Sequence, residues 1–188
     1  MTDPNREDLT ATRRPDRAVT DEAWIRALLR RGPVGTLATV HDGQPFLNMN
    51  LFVYDDASHS IYLHTARQGR TRSNLEQDDR VCFSVAEMGR LLPADTALEF
   101  SVEYASVMVF GRGAVIEGEE ARRGLQLLLD KYAPHLRPER DYRPITDDEL
   151  ARTAVYRIQI DQWSGKQKKE RPDFPGAYLY GQPPDRGL

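Results

Sequence analysis

The sequence predicts a mainly β fold with flanking helices, arranged as a closed or partly open antiparallel barrel. Three observations carry this. Short apolar or alternating runs recur along the chain, most connections between them read as hairpins, and Gly111 and Gly113 interrupt a long strand pattern. Short strands at such spacing favour a barrel or sandwich, and glycines inside a strand mark bulges or barrel corners.

Taken in order, residues 1–17 are polar and lack periodicity, so they read as a flexible arm. A helix is expected to start at Thr20. Trp24 with Leu28 and Ile25 with Leu29 share one face, and Gly32-Pro33 stop it. Residues 34–40 form a buried strand, and Asp42-Gly43 signals a hairpin. The strand over 45–54 alternates: Leu47, Met49, Leu51 and Val53 are expected in the core, with Phe46, Asn48, Asn50, Phe52 and Tyr54 opposite. Residues 60–65 pair back, 68–78 form a helix, and 80–86 another strand. A loop is expected over 87–97, then one long or two bent strands over 98–116. The amphipathic stretch 118–133 is a helix, and Thr146 to Glu149 matches a capping box. Residues 154–163 give a last strand. The domain thus spans 18–167, followed by a proline-containing tail over 168–188, extended over a surface or disordered.

A chain of 188 residues with 39% hydrophobic and 29% charged residues suits one ordinary globular domain. A net charge of −3 gives no sign of a nucleic-acid partner. No apolar run reaches the ~20 residues of a membrane helix, and the N-terminus lacks an apolar signal core. No membrane partner is therefore expected, and a cytoplasmic setting is. The single Cys82 excludes an internal disulfide and a thiolate-rich metal site. The four histidines lack metal-ligand spacing, so no metal site is expected. Nucleotide-binding glycine loops and hydrolase motifs are absent.

The polar, basic stretch from Pro45 to Asp79 stands out. Arg67, Arg70 and Arg72 surround a helix start opened by Gly69, where free N–H groups, the helix dipole and arginine forks can hold an anion. The same arginines could equally form a solvated face. Asn48 and Asn50 could bond the edge of a flat heteroaromatic ring or simply face water.

The segment from Trp24 to Lys166 resembles the pyridoxamine 5'-phosphate oxidase-related, FMN-binding split-barrel family, nearest its nitroimidazole-resistance branch. The carrying residues are Gly35 to Thr39, Pro45 with Asn48, the run IYLHTARQGRTRSNL, VCFSV, Ser106 to Gly111, and Trp163 to Lys166. The resemblance implies a split antiparallel β-barrel and a homodimer with FMN sites between subunits. It implies that Leu47 to Phe52, including Asn48, Met49, Asn50 and Leu51, lies along the flavin ring, with His64 and Thr65 beside it. Arg70 would bind the phosphate. A second basic residue usually follows, but Thr71 stands there, so either Arg72 substitutes or the grip is weaker. Ser106 would lie on the phosphate side and Lys166 near the flavin or substrate mouth. The implied activity is an FMN-dependent oxidoreductase acting on a small planar acceptor, a nitroaromatic or quinone, with His64 as proton donor or substrate guide. The alternatives are pyridoxamine 5'-phosphate oxidase proper, or a non-catalytic split-barrel protein binding flavin, haem or deazaflavin F420.

Overall fold

The ends of the sheet meet at a single residue. The structure, a computed structural model, describes residues 9–183. In chain order it contains β1 (Ala18–Val19), α1 (Glu22–Arg31), β2 (Gly35–His41), β3 (Gln44–Asn50), β4 (Phe52–Asp55) and β5 (Ser60–Ala66). There follow α2 (Arg70–Gln77), β6 (Arg80–Leu92), β7 (Ser101–Ile116), α3 (Gly118–Tyr132), α4 (Asp147–Arg152) and β8 (Thr153–Lys168). The strands form one sheet in the order β3-β2-β6-β7-β8-β5-β4, with β1 added to β8. Each pairing is antiparallel. Its outermost strands, β3 and β4, are consecutive in the chain and separated only by Leu51. The chain therefore closes the sheet covalently at Leu51, and the barrel is split where ladder hydrogen bonds would otherwise join its edges.

Local chemistry explains the elements. Asp42 and Gly43 both take positive φ, 48° and 76°, as a two-residue hairpin turn of the right-handed sheet requires. Helix α1 is capped by Asp21, one residue later than expected, whose carboxylate accepts from Ala23 N at 2.8 Å. Its Ile25, Leu28 and Leu29 enter the barrel core with Leu37, Phe52 and Phe83. A second cluster lies outside the barrel, where α3 buries Val53, Tyr62 and Val155 beneath Ala121 and Leu128. Gly124 permits that approach, since a Cβ there would meet Tyr62 Cδ1 at 2.9 Å. The expected bulge falls between Phe110 and Gly111. The capping box is present, with Thr146 N donating to Glu149 and Glu149 N to Thr146 Oγ1.

Four expectations need correction. The strand expected over 45–54 is two strands, broken at Leu51 and paired to different neighbours. The loop expected over 87–97 is strand as far as Leu92, paired to Ser101–Tyr104 with a register shift between Met88 and Leu91. The last strand continues past Trp163 to Lys168, pairing Lys166 with Ser106 and Lys168 with Tyr104. In the arm, Pro15–Arg17 form a 3-10 turn leading into β1; residues 1–8 of the expected arm lie outside the described residues.

Within the tail, residues 169–183 run as a strap. Glu170 N donates to Glu103 at 2.9 Å, Arg90 donates to the carbonyls of Arg171 and Pro172, and Tyr178 bridges Leu91. Residues 184–188 of the expected tail lie outside the described residues. Among the described residues no helix is long and apolar enough to cross a membrane.

Candidate functional site

The alternation along 46–54 holds, but its two faces are the reverse of the expectation. Leu47, Met49 and Leu51 point outward and are 66%, 69% and 48% exposed. Val53, of the same parity, is buried because α3 covers it. Phe52 and Tyr54 enter the core, and Asn50 is only 8% exposed. Apolar content alone does not distinguish the faces here, since the outside of this barrel is partly a packing surface.

The asparagines are used internally. Asn50 Nδ2 donates to Asn48 O at 2.8 Å. Asn48 Nδ2 lies 3.3 Å from Asn50 Oδ1 and 3.2 Å from Thr71 Oγ1. Thr71 is buried, and the neighbouring Asn74 donates to Thr39 Oγ1 at 2.8 Å. These contacts pin α2 against β2 and β3. They also explain why a polar residue, not a second cation, follows Arg70: position 71 faces protein.

The start of α2 is open. Gly69 has φ 154°, a conformation that favours glycine, and a Cβ there would meet nothing within 4 Å. The first N–H to find a helical acceptor is that of Ser73, bonded to Gly69 O, which leaves those of Arg70, Thr71 and Arg72 for a ligand. Arg70 is exposed, lies 5.5 Å above the Phe46 ring, and has no carboxylate partner among the described residues. Arg72 diverges: it donates to Glu76 at 2.8 Å and sits beside the Arg67 carbonyl. Arg67 itself is anchored to Ala151 O at 2.9 Å. One of the three arginines is thus left for an anion, on the Phe46-Asn48 face of β3 and opposite the exposed strip.

Ser106 and Lys166 are direct cross-strand partners on β7 and β8. The register Met49–Thr36–Ser84–Met108–Ser164 crosses the same outer face one row away. Adjacent strands are about 4.8 Å apart, so the three strand spacings from β3 to β7 put Ser106 roughly 14 Å from the Met49 column. One chain therefore does not bring Ser106 or Lys166 to Arg70, which lies on the opposite, Phe46 face of β3.

His64 follows Leu63, the partner of Phe52, and so lies across from Leu51. With Leu51 it lines a groove of about 550 Å3 formed by Leu125, Leu129, Tyr132 and Ile145. The groove's apolar walls desolvate the imidazole and lower its pKa, which favours the neutral ring. Thr65 points elsewhere, its hydroxyl 2.9 Å from that of Tyr156.

Two groups that sequence reasoning missed hold this region. Lys131 Nζ donates to Gly32 O and Phe52 O at 2.8 and 2.9 Å, 3.8 Å above the Phe52 ring. Burial pulls that ammonium down to about 8. Tyr132 bonds Phe52 and Pro33. Their only sequence signal is their place at the end of an amphipathic helix.

No curated protein matches the chain. Among solved structures, the flavocytochrome Anf3 from Azotobacter vinelandii is similar, with 26% identity, a TM-score of 0.75, and coverage of 88% of this chain and 76% of that one. The FAD and haem binding protein from Mycobacterium smegmatis matches with 26% identity, a TM-score of 0.74, and coverage of 84% and 76%. A candidate 5-nitroimidazole antibiotic resistance protein from Bacteroides thetaiotaomicron shares the fold at 20% identity, a TM-score of 0.66, and coverage of 80% and 86%. Residues 21–167 match the family model described as pyridoxamine 5'-phosphate oxidase, and the chain belongs to that family.

Proposed function

We propose that the protein is a flavin-dependent oxidoreductase whose flavin nucleotide binds over the free edge of β3, between two copies of the chain. The carrying observation is an open helix start with an arginine that has no carboxylate partner among the described residues, on one face of the edge strand β3, and an exposed apolar strip, Leu47-Met49-Leu51, on its other face. A flavin nucleotide has that shape: a flat ring and an anionic tail. Those groups fit it across the free edge of β3, with the strip under the ring and Arg70 and the α2 amides on the phosphate. Both FMN and FAD carry the required phosphate; the similarity to proteins that bind FAD supports the larger cofactor as well as the smaller.

The second copy has two supports. The strip is too apolar for a solvent face, and it continues across Ala38, Cys82, Phe110 and Met108. A two-chain site would also bring Ser106 and Lys166 of one copy toward Arg70 of the other. When bound, the flavin supplies the electron transfer. The protein's part is to exclude water with the strip, hold the phosphate, and receive a small planar acceptor in the groove beside Leu51. For a quinone or nitroaromatic acceptor, the His64 ring could hold or deliver a proton.

A second reading makes the occupant of the groove a resident haem beside the flavin. It is favoured by the similarity to two proteins described as a flavocytochrome and as binding FAD and haem. The test of the flavin reading is a fluorescence-quenching titration with FMN and FAD. Saturable quenching by either supports it, and none with both refutes it.

A further inference from the structure

We propose that the groove between α3, residues 133–146 and Leu51 is a haem site in which a ring nitrogen of His64 is the axial ligand to iron. This rests on the second reading above and assigns its place and ligand. The groove, at about 550 Å3, lies within the ~300–1,000 Å3 range of small-molecule sites. Leu125, Leu128, Leu129, Tyr132 and Ile145 give it apolar walls suited to a tetrapyrrole.

His64 emerges as the ligand by elimination among the groups that line it. The Tyr132 hydroxyl is engaged by Phe52 and Pro33. The Tyr142 hydroxyl accepts from Gln126 at 2.9 Å. Glu149 is occupied by Arg143, at 2.9 Å, and by the Thr146 cap. The imidazole of His64 has no hydrogen-bond partner among the described residues, which leaves its ring nitrogens for a metal. Arg143 at the rim is a cation for a propionate, in exchange with Glu149. Leu51 lines the groove and also ends the Leu47-Met49-Leu51 strip, so haem and flavin would be neighbours at that residue.

The test is titration of the full-length protein with haemin, read by its Soret band and by electron paramagnetic resonance, with flavin quenching followed in parallel. The expected result is one haem per chain with a nitrogen-ligated spectrum. His64→Ala should lose that spectrum and bind haemin at least tenfold more weakly, and added imidazole should restore the spectrum in His64→Gly. Leu125→Glu, which puts a carboxylate on the groove wall, should abolish uptake with flavin quenching unchanged. Absence of haem uptake by the wild type overturns both the site and the haem reading. Uptake with the same spectrum in His64→Ala and in Leu125→Glu overturns the site alone, since haem then binds elsewhere.

Discussion

The hydroxyl of Tyr132 accepts from Phe52 N at 3.1 Å and lies 3.0 Å from Phe52 O, so one side chain meets both backbone groups of the residue that starts β4. It sits where the barrel is split and ladder bonds are missing. Tyr132→Phe leaves a buried backbone N–H without this partner and should cost roughly 1–3 kcal/mol. Urea unfolding of the two proteins measures it; a loss below a few tenths would mean that water or a shifted chain replaces the hydroxyl.

Arg70→Ala should weaken flavin binding by roughly 1.5–3 kcal/mol, or about ten- to hundredfold in Kd, through loss of a charge-assisted phosphate contact. Arg72→Ala should change it little, because Glu76 already holds that guanidinium. Quenching titrations of the two variants distinguish the residues. Equal losses would mean that Arg72 leaves Glu76 for the ligand.

Met49→Glu should leave the chain folded, since the side chain is 69% exposed, and should shift a dimer toward monomer. Sedimentation velocity reads the mass. A wild type that sediments as a monomer at all accessible concentrations would remove the two-chain site.

Hydrogen bonds from Arg90 hold the Glu103 carboxyl down at about 2, against an ordinary 4.5, and outweigh the cost of burial. The folded value lies below the unfolded one, so this contribution is complete above pH ~4.5 and is lost as the pH falls toward 2. The Tm difference between wild type and Glu103→Gln should be constant from neutrality to about pH 5 and shrink below it. A pH-independent gap would assign the effect to packing of the strap.

Much of this fold is legible in the sequence because it is local. The Asp42-Gly43 turn, the Thr146–Glu149 box, the apolar face of α1 and the parity of Phe46 to Tyr54 all depend on neighbouring residues. The side on which that parity falls is not local. It depends on α3, some seventy residues later, covering Val53 while leaving Met49 bare. The extension of β6 is hidden for a similar reason: Glu87, Gly89 and Arg90 break the apolar alternation, yet Arg90 pairs across the strands with Glu103. At the site, the open start of α2 is readable from Gly69 and Arg70. The engagement of Asn48 with Thr71, and the convergence of His64, Leu51 and α3 on one groove, arise only from tertiary packing.

The most direct test of a flavin held by Arg70 and the Leu47-Met49-Leu51 strip is to denature the purified protein and identify the released cofactor by mass spectrometry, after saturation with FMN and FAD and removal of excess. FMN or FAD is expected at one per chain from the wild type, and markedly less from Arg70→Ala. Flavin-free wild type, or equal amounts from both proteins, would contradict it.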